Sequence, residues 1–191
     1  MHNSIKITDK FVYVLKQFKF TYQKSSGKYM ITELIIEQTA KTPQIDLNQF
    51  TGDLIFSGKS IPENAAKVYE PVLKWVKEYI QNANPTTNLR LNLEYYNTAT
   101  SIWLTKIIKE LIRINDPDYT LIVHLYLPIE DYNEMNNFDD IKDAFIPISN
   151  IENNPIPCIG IKLYGTDDNG EIIKDTLVFF EPEHFIDLRY A

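Results

Sequence analysis

The chain has 191 residues, of which 44% are hydrophobic and 13% are aromatic. This composition supports a hydrophobic core and argues against a wholly disordered protein. The single cysteine, Cys158, excludes an internal disulfide framework, and every apolar run is shorter than a membrane span. Because the first residues also lack the apolar core of a secretory signal, we expect a cytoplasmic protein with no membrane partner.

The net charge of −7 is unevenly distributed, since residues 1–41 carry +4 and residues 130–191 carry −10. The N-terminal lysines alternate with apolar residues typical of strands, and residues 1–41 contain no arginine. A nucleic-acid-binding arm normally clusters its basic side chains. We therefore expect no nucleic-acid partner, and we expect the basic N-terminal part to lie near the acidic C-terminal part.

The N-terminal third is rich in aromatic and β-branched residues. Residues 11–23 and 29–38 flank Lys24-Ser25-Ser26-Gly27, which predicts a β-hairpin. A helix over residues 11–18 is the alternative. Thr42-Pro43 then interrupts the pattern, and a new unit is predicted to begin there.

A short strand is predicted over residues 53–57, followed by a helix. Ser60 and Glu63 have the spacing of a capping box, and Pro62 would lie in the first helical turn. Pro71 should kink the helix in its middle. The apolar positions at helical spacing are Ala65, Val68, Val72, Trp75, Val76 and Tyr79.

A second strand and helix are predicted over residues 88–96 and 98–114, and a third strand over residues 120–127. In residues 88–96, Leu89, Leu91, Leu93 and Tyr95 alternate with polar residues. Two consecutive strand-helix-strand units predict parallel strands. We therefore predict a single mixed α/β sheet with a parallel βαβαβ core, helices mainly on one face and a half-polar opposite face, which the terminal segments would partly cover.

The C-terminal part contains two further strand patterns, over residues 158–166 and 171–180. They flank Asp167-Asp168-Asn169-Gly170, and Asn-Gly strongly favours a hairpin turn. The preceding polar residues 130–145 include a predicted helix from Asp139. We predict three parts: an N-terminal β extension over 1–41, an α/β domain over 42–150, and a C-terminal β-hairpin extension over 151–191 packed on the same domain.

Several motifs that would carry chemistry fail on spacing. Gly58-Lys59-Ser60 is similar to the end of a P-loop, but that motif requires glycine at position 53, which is Asp53. Residues 167–171 lack the spacing of an EF-hand, and the three histidines and Cys158 are too dispersed for a zinc motif. We expect no metal and no cofactor.

The sequence contains no signature of a catalytic nucleophile. Glu94, together with Asp53 or Glu63, would form a carboxylate pair only if the fold brought them together. His124 lies on the less apolar face of its strand, where histidine is usually a hydrogen-bonded structural residue. An enzyme with a carboxylate site is therefore one alternative, but no catalytic residue is assigned.

The start of the second predicted helix, Asn97-Thr98-Ala99-Thr100-Ser101, is a candidate regulatory site. A helix N-terminus presents unpaired N–H groups and the positive end of the helix dipole, so it favours a phosphate. Asn97 or Thr98 is able to cap the helix. If Asn97 takes the cap, Thr98 occupies the first helical position with its hydroxyl facing a partner.

Four ordered motifs lie between about residues 40 and 127. They are Lys41-Thr42-Pro43, Ser60-Ile61-Pro62-Glu63-Asn64, Tyr69-x-Pro71-Val72-x-x-Trp75 and Leu93-Glu94-Tyr95-Tyr96-Asn97-Thr98. Together they resemble the SiaC family of bacterial regulatory phosphoproteins.

The resemblance implies a fold similar to anti-sigma-factor antagonists of the STAS type. It also implies that a Ser/Thr kinase phosphorylates Thr98, that a PP2C-type phosphatase removes the phosphate, and that the unphosphorylated form binds and activates a diguanylate cyclase. Ala99 and Thr100 depart from the family pattern, which usually has serines there.

We therefore predict a non-enzymatic regulatory phosphoprotein that works as a phosphorylation-controlled partner switch. Parallel strands should place the two strand-to-helix turns at the same edge. The predicted partner-binding residues are Ser60, Pro62, Glu63, Asn64, Asn97, Thr98 and Thr100. A structural or oligomer-forming scaffold, in which Thr98 only caps the helix, is the other alternative.

Overall fold

The computed structural model describes residues 10–15, 17–25, 28–114, 116, 118–135 and 158–180. Together they form one nine-stranded sheet with three α-helices. The strands are β1 (Lys10–Leu15), β2 (Phe18–Ser25), β3 (Lys28–Ile36), β4 (Gln44–Asn48), β5 (Asp53–Ser60), β6 (Thr86–Tyr96), β7 (Thr120–Pro128), β8 (Cys158–Thr166) and β9 (Ile172–Phe180). The helices are α1 (Ala65–Tyr79), α2 (Thr98–Leu111) and α3 (Ile129–Glu134).

The strands lie in the sheet in the same order as in the chain. Strands β5, β6, β7 and β8 are parallel to one another, and every other neighbouring pair is antiparallel. Helix α1 connects β5 to β6, and α2 connects β6 to β7. The predicted mixed sheet with a parallel core is therefore confirmed, and β8 extends that core by one strand.

A continuous row of buried apolar side chains crosses seven of the strands. Its members face one another in register from β3 to β9 and are Leu34, Leu47, Leu54, Leu89, Val123, Ile161 and Val178. The predicted apolar stripe of α1 is buried in the same core cluster, and so is the inner face of α2. Burial of these two helices against the sheet is the main stabilising contribution.

The opposite face of the sheet is half-polar, as the alternation predicted. The residues that directly follow Leu89, Val123 and Ile161 in their strands belong to this face. They are Arg90, His124 and Lys162, which face one another on neighbouring strands. Lys162 forms an ion pair with Asp175, and the Tyr126 and Tyr164 rings stack with centroids 4.6 Å apart. Cross-strand contacts of this kind satisfy the polar groups of this face.

The terminal strands extend the sheet at its two edges. Strands β1 to β3 lie at one edge and β8 and β9 at the other, so the prediction that the basic and acidic parts are neighbours is wrong for these strands. They also lengthen the sheet instead of covering its second face. The division of the chain into three parts stays a prediction, although strands from all three parts belong to one sheet.

Several elements differ from the sequence-based prediction. The β2–β3 hairpin is present, but β1 and β2 are two antiparallel strands in which Leu15 faces Phe18, so the alternative helix is wrong. Strand β4 was not predicted, because its five residues follow the interruption at Thr42-Pro43. The C-terminal β8–β9 hairpin is present, whereas the predicted helix from Asp139 lies outside the described residues.

Pro71 lies inside α1, as the sequence indicated. Within the described part of the chain, no helix is long and apolar enough to cross a bilayer.

Candidate docking surface at the ends of strands β5 and β6

The two strand-to-helix turns identified in the sequence are adjacent. Ser60, the last residue of β5, faces Tyr96, the last residue of β6, in the parallel register. The backbone N–H of Asn97 donates a hydrogen bond of 3.1 Å to the carbonyl oxygen of Ser60. The prediction that both turns lie at the same edge is therefore confirmed.

Asn97 caps helix α2. Its side-chain oxygen accepts a hydrogen bond of 2.9 Å from the backbone N–H of Thr100. Thr98 is the first helical residue and is exposed to solvent, and its carbonyl oxygen accepts a hydrogen bond from the Ser101 hydroxyl. Because Asn97 provides the cap, the Thr98 hydroxyl stands at the positive end of the helix dipole without being needed to close the helix.

Ser60 and Thr100 are fully buried and belong to a chain of three hydroxyl groups. The Tyr69 hydroxyl lies 2.6 Å from Ser60 Oγ, Ser60 Oγ lies 2.8 Å from Thr100 Oγ1, and Thr100 Oγ1 donates to the Ser60 carbonyl at 3.0 Å. Each hydroxyl has one proton to donate. Since Thr100 gives its proton to the carbonyl, it accepts from Ser60, and Ser60 in turn accepts from Tyr69.

Tyr69 anchors this chain of hydroxyls in the core. Its ring is stacked between those of Phe56 and Trp103, with centroid distances of 6.5 and 6.4 Å. Burial raises the pKa of its hydroxyl, and the interactions with the Ser60 and Thr100 hydroxyls act in the opposite direction without cancelling the effect. Tyr69 therefore stays neutral and acts as a hydrogen-bond donor.

The predicted capping box at Ser60 and Glu63 is wrong. Strand β5 continues to Ser60, and α1 begins only at Ala65, with the Asn64 side chain accepting a hydrogen bond of 3.1 Å from the Lys67 N–H. Pro62 is buried in the turn before the helix. The capping box fails because the Ser60 hydroxyl is already engaged in the buried chain.

Glu63 and Asn64 are exposed. Glu63 Oε1 lies 2.5 Å from Lys41 Nζ, and both this hydrogen bond and the lysine charge lower the pKa of the Glu63 carboxyl. The predicted partner-binding residues thus divide into two groups. Glu63, Asn64 and Thr98 are exposed and Asn97 is half-buried, whereas Ser60, Pro62 and Thr100 are buried and support the two turns from inside.

Exposed apolar side chains lie close to Thr98 in the chain, at the end of β6 and in the second turn of α2. Tyr95, Tyr96 and Ile102 are 62%, 52% and 51% exposed. Ile102 follows Thr98 by four residues, so both lie on the same face of α2. We call Tyr95, Tyr96, Thr98 and Ile102 the Thr98 surface. The sequence-based prediction did not include these apolar members, although a Tyr-Tyr pair directly before a helix cap was a visible signal.

Tyr95 was expected on the buried face with Leu89, and that expectation is wrong. The register shifts between Gly58 and Lys59, so that Leu93 faces Gly58 but Tyr95 faces Lys59. The extra residue in β6 takes Tyr95 out of the buried alternation, and its side chain is exposed. Gly58 has φ of +84°, a conformation that glycine adopts readily.

The carboxylates of the alternative enzyme site each have a cationic neighbour. Asp53 lies 3.3 Å from Arg90, and Glu94 lies 4.0 Å from Lys59. Asp53 begins β5, whereas Glu94 is near the end of the neighbouring β6. Because a strand rises roughly 3.3 Å per residue, these two groups are far apart along the sheet.

His124 belongs to the polar face of the sheet, not to the Thr98 surface. Its Nε2 lies 3.0 Å from Asn88 Oδ1, and its Nδ1 lies 3.0 Å from the Tyr164 hydroxyl. Burial, assisted by the charges of Arg90 and Lys162, lowers the pKa of His124 to about 4. Where the chain is described, no cluster of His, Cys, Asp or Glu is arranged to hold a metal ion.

Comparison with known proteins agrees with the motifs. The model of the SiaC family regulatory phosphoproteins matches residues 36–153, which is more than half of the chain. An uncharacterized protein of Pseudomonas aeruginosa (strain UCBPP-PA14) is 31% identical over 70 residues, which cover 37% of this chain and 56% of that protein. The alignment thus spans little more than half the length of this relative.

Two solved structures share the fold. Apo-SiaC from Pseudomonas aeruginosa superposes with a TM-score of 0.51 at 22% identity and covers 68% of this chain and 97% of its own. The crystal structure of the diguanylate cyclase SiaD in complex with its activator SiaC, from the same organism, gives a TM-score of 0.50 at 21% identity. It covers 68% of this chain and 98% of the matched chain. The chain belongs to the SiaC family of regulatory phosphoproteins.

Proposed function

We propose that this chain is a non-enzymatic, cytoplasmic partner switch controlled by phosphorylation of Thr98. The unphosphorylated protein binds an effector through the Thr98 surface, a Ser/Thr kinase adds the phosphate, and a PP2C-type phosphatase removes it. The observation that carries the proposal is the exposed Thr98 at the first position of α2, beside a cap provided by Asn97. The family's description as regulatory phosphoproteins supports it.

The fold should tolerate the modification. A phosphate adds about −1.5 to −2 charge units, and negative charge at a helix N-terminus is stabilising by about 0.3–2 kcal/mol. Thr98 is exposed and its hydroxyl is not part of the buried chain, so the phosphate displaces no core contact. Phosphorylation therefore acts on the surface and leaves the fold intact.

Phosphorylation of Thr98 should, by contrast, weaken the binding of an effector. An effector packed on Tyr95, Tyr96 and Ile102 excludes water from the Thr98 hydroxyl, and a hydrated dianion there opposes that burial. A loss of about 1–3 kcal/mol in binding free energy weakens affinity roughly 5- to 150-fold. That range is sufficient for a switch.

A diguanylate cyclase is the proposed effector. The solved complex of SiaD with its activator SiaC has a chain of the same fold, and this protein belongs to the same family. In this proposal Glu63, Asn64 and Asn97 frame the contact beside Thr98, whereas Ser60, Pro62 and Thr100 contribute by holding the turns in place.

Intact mass spectrometry tests the phosphorylation. The purified chain is incubated with ATP and a Ser/Thr kinase cloned from the same genome. We expect one added phosphate in the wild type, none in Thr98→Ala, and one in the matched control Ser101→Ala, whose hydroxyl belongs to the same helical turn. Equal phosphate on Thr98→Ala would refute the assignment.

An oligomer-forming scaffold is the second candidate, because the edge strand β9 carries exposed apolar side chains. Ile173, Leu177 and Phe179 are 54%, 41% and 46% exposed. Sedimentation velocity of the wild type and of Leu177→Lys distinguishes the two functions. An oligomer that Leu177→Lys disrupts, together with unchanged cyclase affinity in Thr98→Asp, would favour the scaffold.

A further inference from the structure

We propose that Tyr69 is a positioning residue for the Thr98 surface, and that it acts through the buried hydroxyls of Ser60 and Thr100. This inference rests on the proposed function, because it assigns the residue that sets the affinity of the same site. It differs from that function in placing a determinant of binding in the protein interior, where no partner contacts it.

The chain of hydroxyls connects three elements. Tyr69 belongs to α1, Ser60 ends β5, and Thr100 lies in the first turn of α2. The proton order runs from Tyr69 to Ser60, then to Thr100, and ends at the Ser60 carbonyl. Each hydroxyl donates once, so the three groups fix one another's orientation.

The last acceptor in this series of hydroxyls is a backbone carbonyl oxygen that also contacts the docking site. The Ser60 carbonyl also accepts the Asn97 N–H, and carbonyl oxygens have two acceptor positions. Asn97 precedes Thr98 and caps the same helix. The hydroxyls therefore hold the first turn of α2 against the end of β5, and a partner meets a surface whose geometry is already set.

Tyr69→Phe isolates the hydroxyl from the rest of the side chain. Phenylalanine preserves the stack between Phe56 and Trp103, so the core packing is maintained. Tyr79→Phe is the matched control, because Tyr79 is also buried on α1 and its hydroxyl lies 2.6 Å from Thr87 Oγ1. Tyr79 lies at the other end of the helix, and its hydroxyl also accepts the Asn84 N–H at 3.3 Å. The control therefore loses at least as many hydroxyl contacts as Tyr69→Phe, but only Tyr69 is near Thr98.

Amide hydrogen exchange of the free chain measures the positioning directly. We expect Tyr69→Phe to accelerate exchange of the Thr100 and Ser101 amides about three- to tenfold, the change that loss of one buried hydrogen bond produces, and Tyr79→Phe to leave them unchanged. Equal rates in Tyr69→Phe and the wild type would overturn the inference, whatever the function of the surface.

Calorimetric affinity for a diguanylate cyclase from the same genome measures the consequence. We expect Tyr69→Phe to bind roughly three- to tenfold more weakly and Tyr79→Phe to bind like the wild type, although Tyr79→Phe loses at least as many buried hydrogen bonds. Equal weakening in both variants would show a general structural effect and would overturn the inference. If the wild-type chain binds no cyclase, the proposed function itself is refuted. This result is distinguishable from a failure of the inference about Tyr69, which the exchange rates test independently.

Thr100→Val provides an independent variant of similar shape that lacks the Thr100 hydroxyl. If Tyr69 and Thr100 act through one chain, the double variant should weaken cyclase binding by less than the product of the two single effects. Multiplicative effects would mean that the two residues act separately, and the proposed connection would be wrong.

Discussion

The backbone N–H of Asn97 donates a 3.1 Å hydrogen bond to the carbonyl oxygen of Ser60, and this contact joins two turns that are 37 residues apart in the chain. The same carbonyl accepts the Thr100 hydroxyl at 3.0 Å. One backbone oxygen at the end of β5 therefore holds both the cap and the first turn of α2.

Ser60→Ala should destabilise the fold by about 1–3 kcal/mol. The substitution leaves the buried Tyr69 hydroxyl without its acceptor and Thr100 Oγ1 without its donor. Chemical denaturation measures the loss, and Ser57→Ala, on the same strand and half-buried, is the control with an expected change within about 0.5 kcal/mol. A similar loss in both variants would contradict the role of the buried hydroxyls.

Asn97→Ala should remove the cap of α2 and lower the free energy of unfolding by about 0.5–2 kcal/mol. Asn64→Ala removes the cap of α1 through an equivalent contact and should cost a similar amount. Only Asn97→Ala should also slow phosphorylation of Thr98, because its cap positions that residue. Initial rates of phosphate transfer for the two variants, compared with their denaturation midpoints, check this difference, and equal rates would count against it.

Ile102→Asp should weaken cyclase binding by about 1–3 kcal/mol while leaving the fold almost unchanged, because the side chain is 51% exposed. Phe50→Asp is the matched control, since Phe50 is 59% exposed in the turn between β4 and β5. Calorimetry should give wild-type affinity for the control. Loss of binding in Phe50→Asp, with none in Ile102→Asp, would place the docking surface elsewhere.

Stability should decrease as the pH falls from about 6.5 towards 4. The pKa of His124 is lowered in the folded protein, mainly by burial and then by the charges of Arg90 and Lys162, so the unfolded chain binds the proton more tightly. The stabilising effect is complete above the unfolded pKa and is lost as the pH falls through this interval. Unfolding monitored between pH 7.5 and 4 measures the slope.

His124→Gln is the control for this pH dependence, because glutamine keeps a hydrogen-bonding side chain without titrating. Its stability should depend less on pH in the same interval. An NMR titration of the His124 ring in the folded protein gives the pKa directly. A ring that titrates near 6.5 would contradict the lowered value.

Local patterns were sufficient for the parallel core. The alternation through Leu89 and the helical spacing from Ala65 to Tyr79 each follow from burial of one face, which residues a few positions apart are enough to reveal. The Asn97 cap was equally predictable from the sequence, because capping is a contact between residues three positions apart. The order of strands and helices in the middle of the chain, and the candidate position of Thr98, therefore follow from the sequence by itself.

Only the tertiary structure decided the role of Ser60 and the position of Tyr95. Ser60 looked like a cap, but its hydroxyl bonds to Tyr69 and Thr100, nine and 40 residues further along the chain. Tyr95 followed the apolar alternation, but the register shift against Gly58 turned it outward. Both outcomes depend on contacts between separate elements, and a hydrogen bond or a strand register across such distances leaves no local pattern in a single sequence.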